Sequence, residues 1–538
     1  MKRLHFALVV GLLSLSRNAA SQAPPAAVPG DPVQIDSGSI AGKLVSNDVR
    51  AYLGIPFAAP PVGDLRWKEP RPVKPWTGVR AADRYGASCT QRGPARGGAP
   101  AYTEDCLFLN VWAPVKPAAK KLPVIVYIYG GGYTSGSASS PSLSGEVLAK
   151  KGAVYVNFNY RLSVLGSLGL PELTAESPHK ASSNYVHLDG LAVLQWVHRN
   201  IAKFGGDPGN VTLMGQSSGS MEVCYLQGSP LTKGLIHRVL AMSGSTFPGG
   251  PWGARKLKDV EAAGLQFEEK LGVKSLAELR ALPWERLLET SWIDINEPAA
   301  DDGYLASEPT PQMFAAHKQT DVPTIVEWCR DEVFSGFSGV KTLADYKAAV
   351  QAVAGAKADE MLRLYPASND EEARLAAQKA AHWGAVAKQM IGWAVAQAAA
   401  KSPVYVSTFS YGQTAGHGKD VAYWHGTVAM QGAGPGGRGP QLTPHDTELA
   451  EQMSDALIAF AKTGKPNTAA IKWPRFDPKN PNRLDFGERI EPVPIDPGVF
   501  FYIENPDVKM DFPKGGRAGG RGGPGAPGTP GGPQAPGR

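Results

Sequence analysis

Apolar and polar residues follow two kinds of pattern along the middle of the chain. The segments LPVIVYIY (122–129) and AVYVNFNY (153–160) are nearly continuous apolar runs, as expected of central strands covered on both faces. The segment DGLAVLQWVHRNIAKFG instead places Leu191, Leu194 and Val197 at helical spacing and stops at a glycine. From about residue 120 onward, this alternation predicts an α/β fold with a large, mostly parallel central sheet flanked by helices.

Further strands are predicted at NVTLMG, HRVLAMSG, VPTIVEW and SPVYVSTFSY, with helical patterns over roughly 369–401 and 446–463. We expect one folded domain over 28–505, with helical insertions between the strands. Two Gly/Pro-rich segments carry too few apolar side chains to offset the entropy lost on ordering. The tail 513–538 is therefore predicted to be disordered, and 432–440 is predicted to be a mobile loop.

The N-terminus has the composition of a secretory signal. A basic start precedes an apolar run from about Phe6 to Leu15, and small residues follow near Ala20 to Ala23. A transmembrane helix needs about 20 apolar residues, and Arg17 ends this run too early. We therefore predict a signal peptide over 1–23 and an exported protein, periplasmic or extracellular, with no membrane span.

The formal net charge of +6 arises mainly at the two ends of the chain. Without the basic residues of the leader and the tail the body is near neutral, so charge gives no support to a nucleic-acid partner. Four cysteines could form two disulfides in an oxidising compartment, and none of their spacings resembles a zinc site. The short polar segment between Cys89 and Cys106 suits a local disulfide, whereas Cys224 and Cys329 could equally be buried free thiols. We take a monomer as the default state.

A serine follows one of the predicted strands at a sharp turn. The stretch GQSSGS (215–220) matches G-x-S-x-G, in which a strand stops and presents a serine before a helix begins. Glycine supplies 62 of the 538 residues, so the pattern alone could arise by chance. In such a turn Ser217 projects clear of the sheet, and the N–H of Ser218 points toward a developing oxyanion at a helix N-terminus.

The partners that such a serine needs are also predicted at strand ends. The turn YIYGGGY places three glycines, 130–132, directly after a strand, where their N–H groups can approach a substrate oxygen. A base and an acid are expected after the serine. His417 and His425 both lie in GHGKDVAYWHG after one strand, and Asp331 and Glu332 both follow another. The residues themselves leave both choices open.

Taken in order, these motifs resemble those of the type-B carboxylesterases, a family that includes carboxylesterases, fungal lipases and cholinesterases. The resemblance runs from about Gly38 to Asp496 and includes LGIPFAAPPVGDLRW, EDCLFLNVW, YGGGY, NYRLSVLG, NIAKFGGDPGNVTLMGQSSG, AMSGS and FAKTGKPN. It implies an α/β-hydrolase fold and a serine esterase that requires no metal and no cofactor.

The resemblance also implies roles for particular residues. The acid of the family falls on Glu332 in RDEVF, and its histidine falls on His417 in HGKDV, so the implied triad is completed by Ser217. The implied oxyanion donors and disulfide partners are Gly131, Gly132, Ser218, Cys89 and Cys106.

The chain departs from the family pattern at three positions near the triad. Gln216 and Ser218 flank the serine where the family commonly has Glu and Ala. Val333 replaces the usual glycine after the acid, which keeps Asp331 as the alternative to Glu332.

The resemblance also bears on the substrate. The segment STFPGGPWG (245–253) resembles the acyl pocket of the family, so Phe247 and Trp252, with Tyr133, are predicted to form an aromatic wall for aryl or short acyl groups, or else to be ordinary core or rim residues. The loop inside the first disulfide carries no tryptophan, so a quaternary ammonium site is not expected. We predict an enzyme that hydrolyses small, largely uncharged carboxylic esters through an acyl-enzyme on Ser217. The alternatives are a lipase acting on longer acyl chains and a catalytically silent binding module of the same fold.

Overall fold

A computed structural model describes most of the chain, namely residues 28–93, 101–116, 120–248, 255–290, 303–332, 337, 339–430 and 441–508. The segments 1–23, 432–440 and 513–538 lie outside these residues, and so does Trp252. The predictions of a signal peptide, a mobile loop, a disordered tail and a tryptophan in the acyl pocket therefore stay predictions.

Eleven strands form the central sheet of the described chain. In chain order they are β1 (Lys43–Ser46), β2 (Val49–Pro56), β3 (Phe108–Pro114), β4 (Leu122–Ile128), β5 (Val154–Phe158), β6 (Gly206–Gln216), β7 (Arg238–Met242), β8 (Thr324–Cys329), β9 (Val404–Phe409), β10 (Asn482–Phe486) and β11 (Ile490–Pro494). Across the sheet the order is β11-β10-β9-β8-β7-β6-β4-β5-β3-β2-β1.

The middle of the sheet is parallel and its two margins are antiparallel. All pairs from β5 through β4 and β6 to β10 are parallel, whereas β1 to β3 and the last strand, β11, pair in antiparallel fashion. Every residue of β5, β8 and β9 is buried, which explains their mainly apolar sequences. The predicted parallel core is confirmed, whereas the sequence patterns did not predict the N-terminal antiparallel strands.

Helices cover the sheet and fill the connections between its strands. They are α1 (Glu146–Lys150), α2 (Val164–Ser167), α3 (Pro171–Glu176), α4 (Tyr185–Asn200), α5 (Ser218–Gly228), α6 (Leu257–Leu271), α7 (Leu276–Ala281), α8 (Trp284–Thr290), α9 (Thr310–Ala315), α10 (Leu343–Ala354), α11 (Ala358–Leu364), α12 (Asp370–Gly384), α13 (Val386–Ala398), α14 (Val421–His425), α15 (Pro444–Thr463) and α16 (Gly498–Glu504). Helices α6 to α9 lie between β7 and β8, and α10 to α13 lie between β8 and β9, which confirms the predicted helical insertions.

Two of the predicted helical regions show how local sequence sets helix ends. The region 369–401 contains two helices rather than one, because Ala385 (φ −99°, ψ −123°) leaves the helical conformation between α12 and α13. Thr443 caps the start of helix α15, since its hydroxyl accepts a hydrogen bond from the Asp446 N–H in a capping box, and Gly464 ends the helix in the left-handed conformation.

A buried ion pair joins α4 to the loop that follows β5. The Arg161 guanidinium donates to the Asp189 carboxylate from two nitrogens, over distances of 2.6–3.2 Å, and the Arg161 backbone N–H donates to it at 3.0 Å. Arg161 is 3% exposed and Asp189 is fully buried. The pair therefore fixes this helix against the carboxyl edge of the sheet.

Two of the four cysteines form a disulfide, and the other two are free thiols. Cys89 and Cys106 form a disulfide that closes the loop between them. Cys224 and Cys329 are free and buried. Across the ranges that the structure describes, no helix combines the length and the apolar character needed to cross a bilayer.

Candidate active site

Four neighbouring parallel strands bring polar side chains to one edge of the sheet. Strand β6 leads into Ser217 and β7 into Ser243, while Glu332 follows β8 and His417 follows β9. Because the carboxyl ends of parallel strands meet at one edge, residues distant in sequence converge there.

The turn at Ser217 has the geometry that the glycine pattern predicts. Ser217 adopts φ 57° and ψ −126° between β6 and α5, and its N–H donates to the Met242 carbonyl oxygen at 2.8 Å. A side chain on Gly215 would lie 2.3 Å from the Gly219 carbonyl oxygen, and one on Gly219 would lie 2.1 Å from the Ile128 carbonyl oxygen. Only glycine fits at these two positions, since the obstructing atoms belong to the backbone.

The structure brings Ser217, His417 and Glu332 together. His417 Nε2 lies 2.8 Å from Ser217 Oγ, and His417 Nδ1 lies 3.3 Å from Glu332 Oε1. The Glu332 side chain is 1% exposed, whereas the His417 side chain is 36% exposed. Burial lowers the pKa of His417, but the Glu332 and Asp420 carboxylates together outweigh it and hold that pKa above its ordinary value. The imidazole can therefore take the serine proton while the Glu332 carboxylate stabilises the resulting cation.

Ser243 holds the acid in place, and our sequence reasoning did not identify it. Its hydroxyl donates to Glu332 Oε1 at 2.5 Å, and the Cys329 N–H donates to the same oxygen at 3.3 Å. In the described part of the chain no group donates to Glu332 Oε2. Ser243 belongs to AMSGS at the end of β7, beside the strand β6 that leads into Ser217. Its contact with Glu332 joins residues 89 positions apart, so the local sequence did not reveal it.

The two alternative residues lie in other environments. His425, at the end of α14, is fully buried, with Nδ1 2.7 Å from the Val421 carbonyl oxygen and Nε2 2.9 Å from the Tyr155 hydroxyl. Burial lowers its pKa to about 4. Asp331 is exposed and forms an ion pair with Arg330 at 2.8 Å. Neither residue contacts Ser217 or His417.

The glycine turn after β4 packs against the serine. Gly130 lies so close to Ser217 that a Cβ atom on Gly130 would be 2.7 Å from Ser217 Cβ. Gly131 (φ 132°) and Gly132 (φ 62°) continue the turn in conformations that favour glycine. Of all the described groups, none accepts a hydrogen bond from the N–H of Gly131, Gly132 or Ser218. These three donors are therefore available to a substrate oxygen.

Gln216, the residue before the serine, also contacts the histidine. Its amide Nε2 lies 3.2 Å from His417 Nε2, and the side chain is nearly buried. A glutamate here, as in the resembled family, would place a negative charge against the imidazole. In this chain the amide leaves that position neutral.

Phe247 and Tyr133, two of the three aromatic residues predicted for the acyl pocket, pack against different neighbours. Phe247 is buried and packs edge-on against Phe314, with ring centroids 5.4 Å apart, beside α13. Tyr133 is buried and packs against the His187 ring at 6.3 Å. Phe247 thus lies among aromatic side chains, whereas Tyr133 lies beside the His187 ring.

Most of the chain is similar to known esterases. The sequence profile described as the carboxylesterase family matches residues 30–495. A fumonisin B1 esterase from Sphingopyxis macrogoltabida is 34% identical, over 88% of this chain and 89% of its own. A para-nitrobenzyl esterase from Bacillus subtilis is 32% identical, over 80% of this chain and 89% of its own. A solved structure of a PNB esterase superimposes with a TM-score of 0.72 at 28% identity, covering 88% of this chain and 99% of that one.

Proposed function

Since the chain belongs to the carboxylesterase family, and is thus a serine-type carboxylic ester hydrolase of the α/β-hydrolase fold, we propose that it hydrolyses small, largely uncharged esters through an acyl-enzyme on Ser217. The observation that carries this proposal is the pair of contacts from His417, at 2.8 Å to Ser217 Oγ and at 3.3 Å to Glu332 Oε1. Each contact joins groups of the type that nucleophilic catalysis requires.

The proposed reaction has two proton-transfer halves. His417 accepts the Ser217 proton as Oγ attacks the ester carbonyl, and it then gives that proton to the leaving alkoxide. The N–H groups of Gly131, Gly132 and Ser218 stabilise the oxyanion. Water, deprotonated by the same histidine, attacks the acyl-enzyme and releases the acid.

Glu332 acts on the imidazole in both halves. It keeps Nδ1 protonated and stabilises the imidazolium, while Ser243 and the Cys329 N–H hold the carboxylate in position. Because both donors approach Oε1, the oxygen that faces the histidine is the one that is fixed.

The proposed substrate class rests on the environment beside the serine. Gln216 contributes no charge to the imidazole edge, and Phe247, which the resemblance assigns to the acyl pocket, lies in an aromatic cluster with Phe314. A similar protein is named for para-nitrobenzyl esters, which supports a small ester as substrate. The named relatives do not favour a lipase or a silent binding module.

We also propose that the protein is exported. The N-terminal sequence has the form of a signal peptide, and the Cys89–Cys106 disulfide fits an oxidising compartment. N-terminal sequencing of protein expressed with its full leader should find a mature end near Ala23. Recovery of protein that still begins at Met1 in the cytoplasmic fraction would contradict export.

A fluorophosphonate probe followed by peptide mapping tests the nucleophile. We expect one adduct, on Ser217, that is absent in Ser217→Ala. A folded protein that gains no adduct on Ser217 would rule out the proposed acyl-enzyme.

The choice of base has a matched pair of variants. His417→Ala should abolish ester hydrolysis, whereas His425→Asn, which keeps an N–H for the Val421 carbonyl oxygen, should retain most of it. The reverse result would move the base to His425.

A further inference from the structure

Two carboxyl groups lie buried behind the triad. Glu327 is in the middle of β8, five positions before Glu332, and Asp420 follows His417 by three positions at the start of α14. Both side chains are fully buried. Transferring one carboxylate to such a site is costly unless it is paired, and two adjacent carboxylates cannot both ionise without a large penalty.

The donors around the two acids are unevenly distributed. Glu327 accepts hydrogen bonds from Trp424 Nε1 and from Ser407 Oγ, each at 2.7 Å. By contrast, no N–H or O–H of the described residues donates to either oxygen of Asp420. The groups within its reach are the Glu327 carboxyl and the Cys329 thiol, which is a weak donor.

A proton between the two acids resolves this imbalance. If Glu327 is protonated, its O–H donates to Asp420, which then has a strong donor. Burial and the neighbouring Asp420 both raise the pKa of Glu327 well above its usual range, which supports Glu327 as the protonated member. The Asp420 carboxylate then remains as the one negative charge of the pair.

This charge lies close enough to act on the triad. Asp420 contributes, after Glu332, to holding the pKa of His417 above its ordinary value, against the lowering caused by burial. The other titratable groups around the pair are Cys329, Glu332 and Tyr127, on β8, after β8 and on β4. Among His417 and these three groups, His417 is the one that must change charge during the proposed reaction.

We propose that Glu327 and Asp420 form a carboxylic acid–carboxylate pair with one shared proton, and that this pair is a positioning element for His417. It joins the loop that carries the base to the strand that carries the acid. It also places a second negative charge behind the imidazolium, so that Glu332 does not act alone. This inference rests on the proposed function, because it assigns His417 as the base.

The pH profile of kcat/KM for a p-nitrophenyl ester separates this role from a merely structural one. Asp420→Asn removes the negative charge, so the pKa of His417 should fall, and the acid limb of the profile should move to lower pH. We expect kcat to fall about tenfold, the equivalent of one pKa unit. An Asp420→Asn enzyme that is less stable but keeps the acid limb of the wild type would overturn the proposal.

Glu327→Gln is the matched control, since an amide N–H replaces the O–H that donates to Asp420. We expect the acid limb to stay in place and kcat to remain within about threefold of the wild type. A loss as large as that of Asp420→Asn, with the same shift of the limb, would mean that Glu327 is ionised and would refute the shared proton.

Infrared difference spectra supply a readout independent of catalysis. At neutral pH the wild type should show a protonated carboxyl band that Glu327→Gln lacks, and its absence from the wild type would also refute the shared proton. Labelling of wild-type Ser217 by a fluorophosphonate separates the two levels of failure. If wild-type Ser217 is labelled but the acid limb of Asp420→Asn does not move, only the role of the carboxyl pair is refuted. If wild-type Ser217 is not labelled, the proposed function itself is refuted.

Discussion

Replacing Glu332 by glutamine tests how the acid supports catalysis. Glu332 Oε1 accepts from Ser243 and from the Cys329 N–H and faces His417 Nδ1 at 3.3 Å. In the variant, the amide oxygen should occupy this position because two donors already point at it. The amide nitrogen then takes the place of Oε2, where the described structure offers no donor that would oppose it. The histidine therefore keeps its tautomer, and only the negative charge is lost.

The size of the effect follows from that geometry. At 3.3 Å, Coulomb's law with an effective dielectric constant of about 20 gives about 5 kcal/mol between the carboxylate and the imidazolium. Because the His417 side chain is 36% exposed, solvent screening reduces this to roughly half, about 2–3 kcal/mol. Glu332→Gln should thus lower kcat by about a hundredfold. An amide N–H facing the ring would instead cost about 10⁴-fold, through the wrong tautomer.

The assay is kcat and kcat/KM for p-nitrophenyl acetate across about pH 5 to 9. The raised pKa of His417 should place the acid limb of the wild type above the ordinary histidine value, since the base must be neutral. In Glu332→Gln burial acts unopposed by that carboxylate, so the limb should move to lower pH. Asp331→Asn is the matched control and should leave both quantities nearly unchanged. A loss near 10⁴-fold, or a limb that stays in place, would refute the reasoning.

Three further predictions concern stability, each read from urea unfolding of the purified protein. Gly219→Ala should destabilise by about 1–3 kcal/mol, because the new methyl carbon would lie 2.1 Å from the carbonyl oxygen of Ile128 at the end of β4; an unchanged midpoint would contradict the close packing of the turn at Ser217. Asp189→Asn should cost about 3–5 kcal/mol, because Arg161 would remain buried without its counter-charge, and a cost below about 1 kcal/mol would show that the pair is dispensable. Reduction of the Cys89–Cys106 bridge, which spans 17 positions, should lower stability by about 3 kcal/mol, and a Cys89→Ser, Cys106→Ser double variant should no longer respond to reductant.

The parallel strands of the sheet could be predicted from the sequence, for a physical reason. Strands such as β8 and β9 are buried on both faces, so their sequences are mainly apolar runs that stand out. The antiparallel strand β1 has four residues and is only partly buried, so its pattern is weak. The next strand, β2, has eight residues and is almost wholly buried, so its length does not explain why it was missed. Both strands lie before the region in which strands and helices alternate.

Some residues of the candidate site could likewise be predicted from the sequence, and others could not. Ser217 and the glycine turn could be predicted because local geometry demands glycine there. The choice of His417 over His425 came from the resemblance, since both residues occupy the same segment after one strand. Ser243 and Asp420 were missed because their roles depend on contacts with residues from other strands. Glu327 was visible as an acid inside an apolar run, but its partner is 93 positions away in the chain.

The convergence of successive strand ends has a consequence for how activity arises during folding. Ser217 and His417 are separated by 200 positions, and each reaches the site only when its own strand has joined the sheet. Such non-local pairing is slow compared with the formation of helices. A chain still being synthesised, or refolding from denaturant, therefore passes through a period in which the nucleophile turn can exist without its base. Recovery of esterase activity should lag behind recovery of helical circular dichroism, so it reports the arrival of β9 and the loop that it carries.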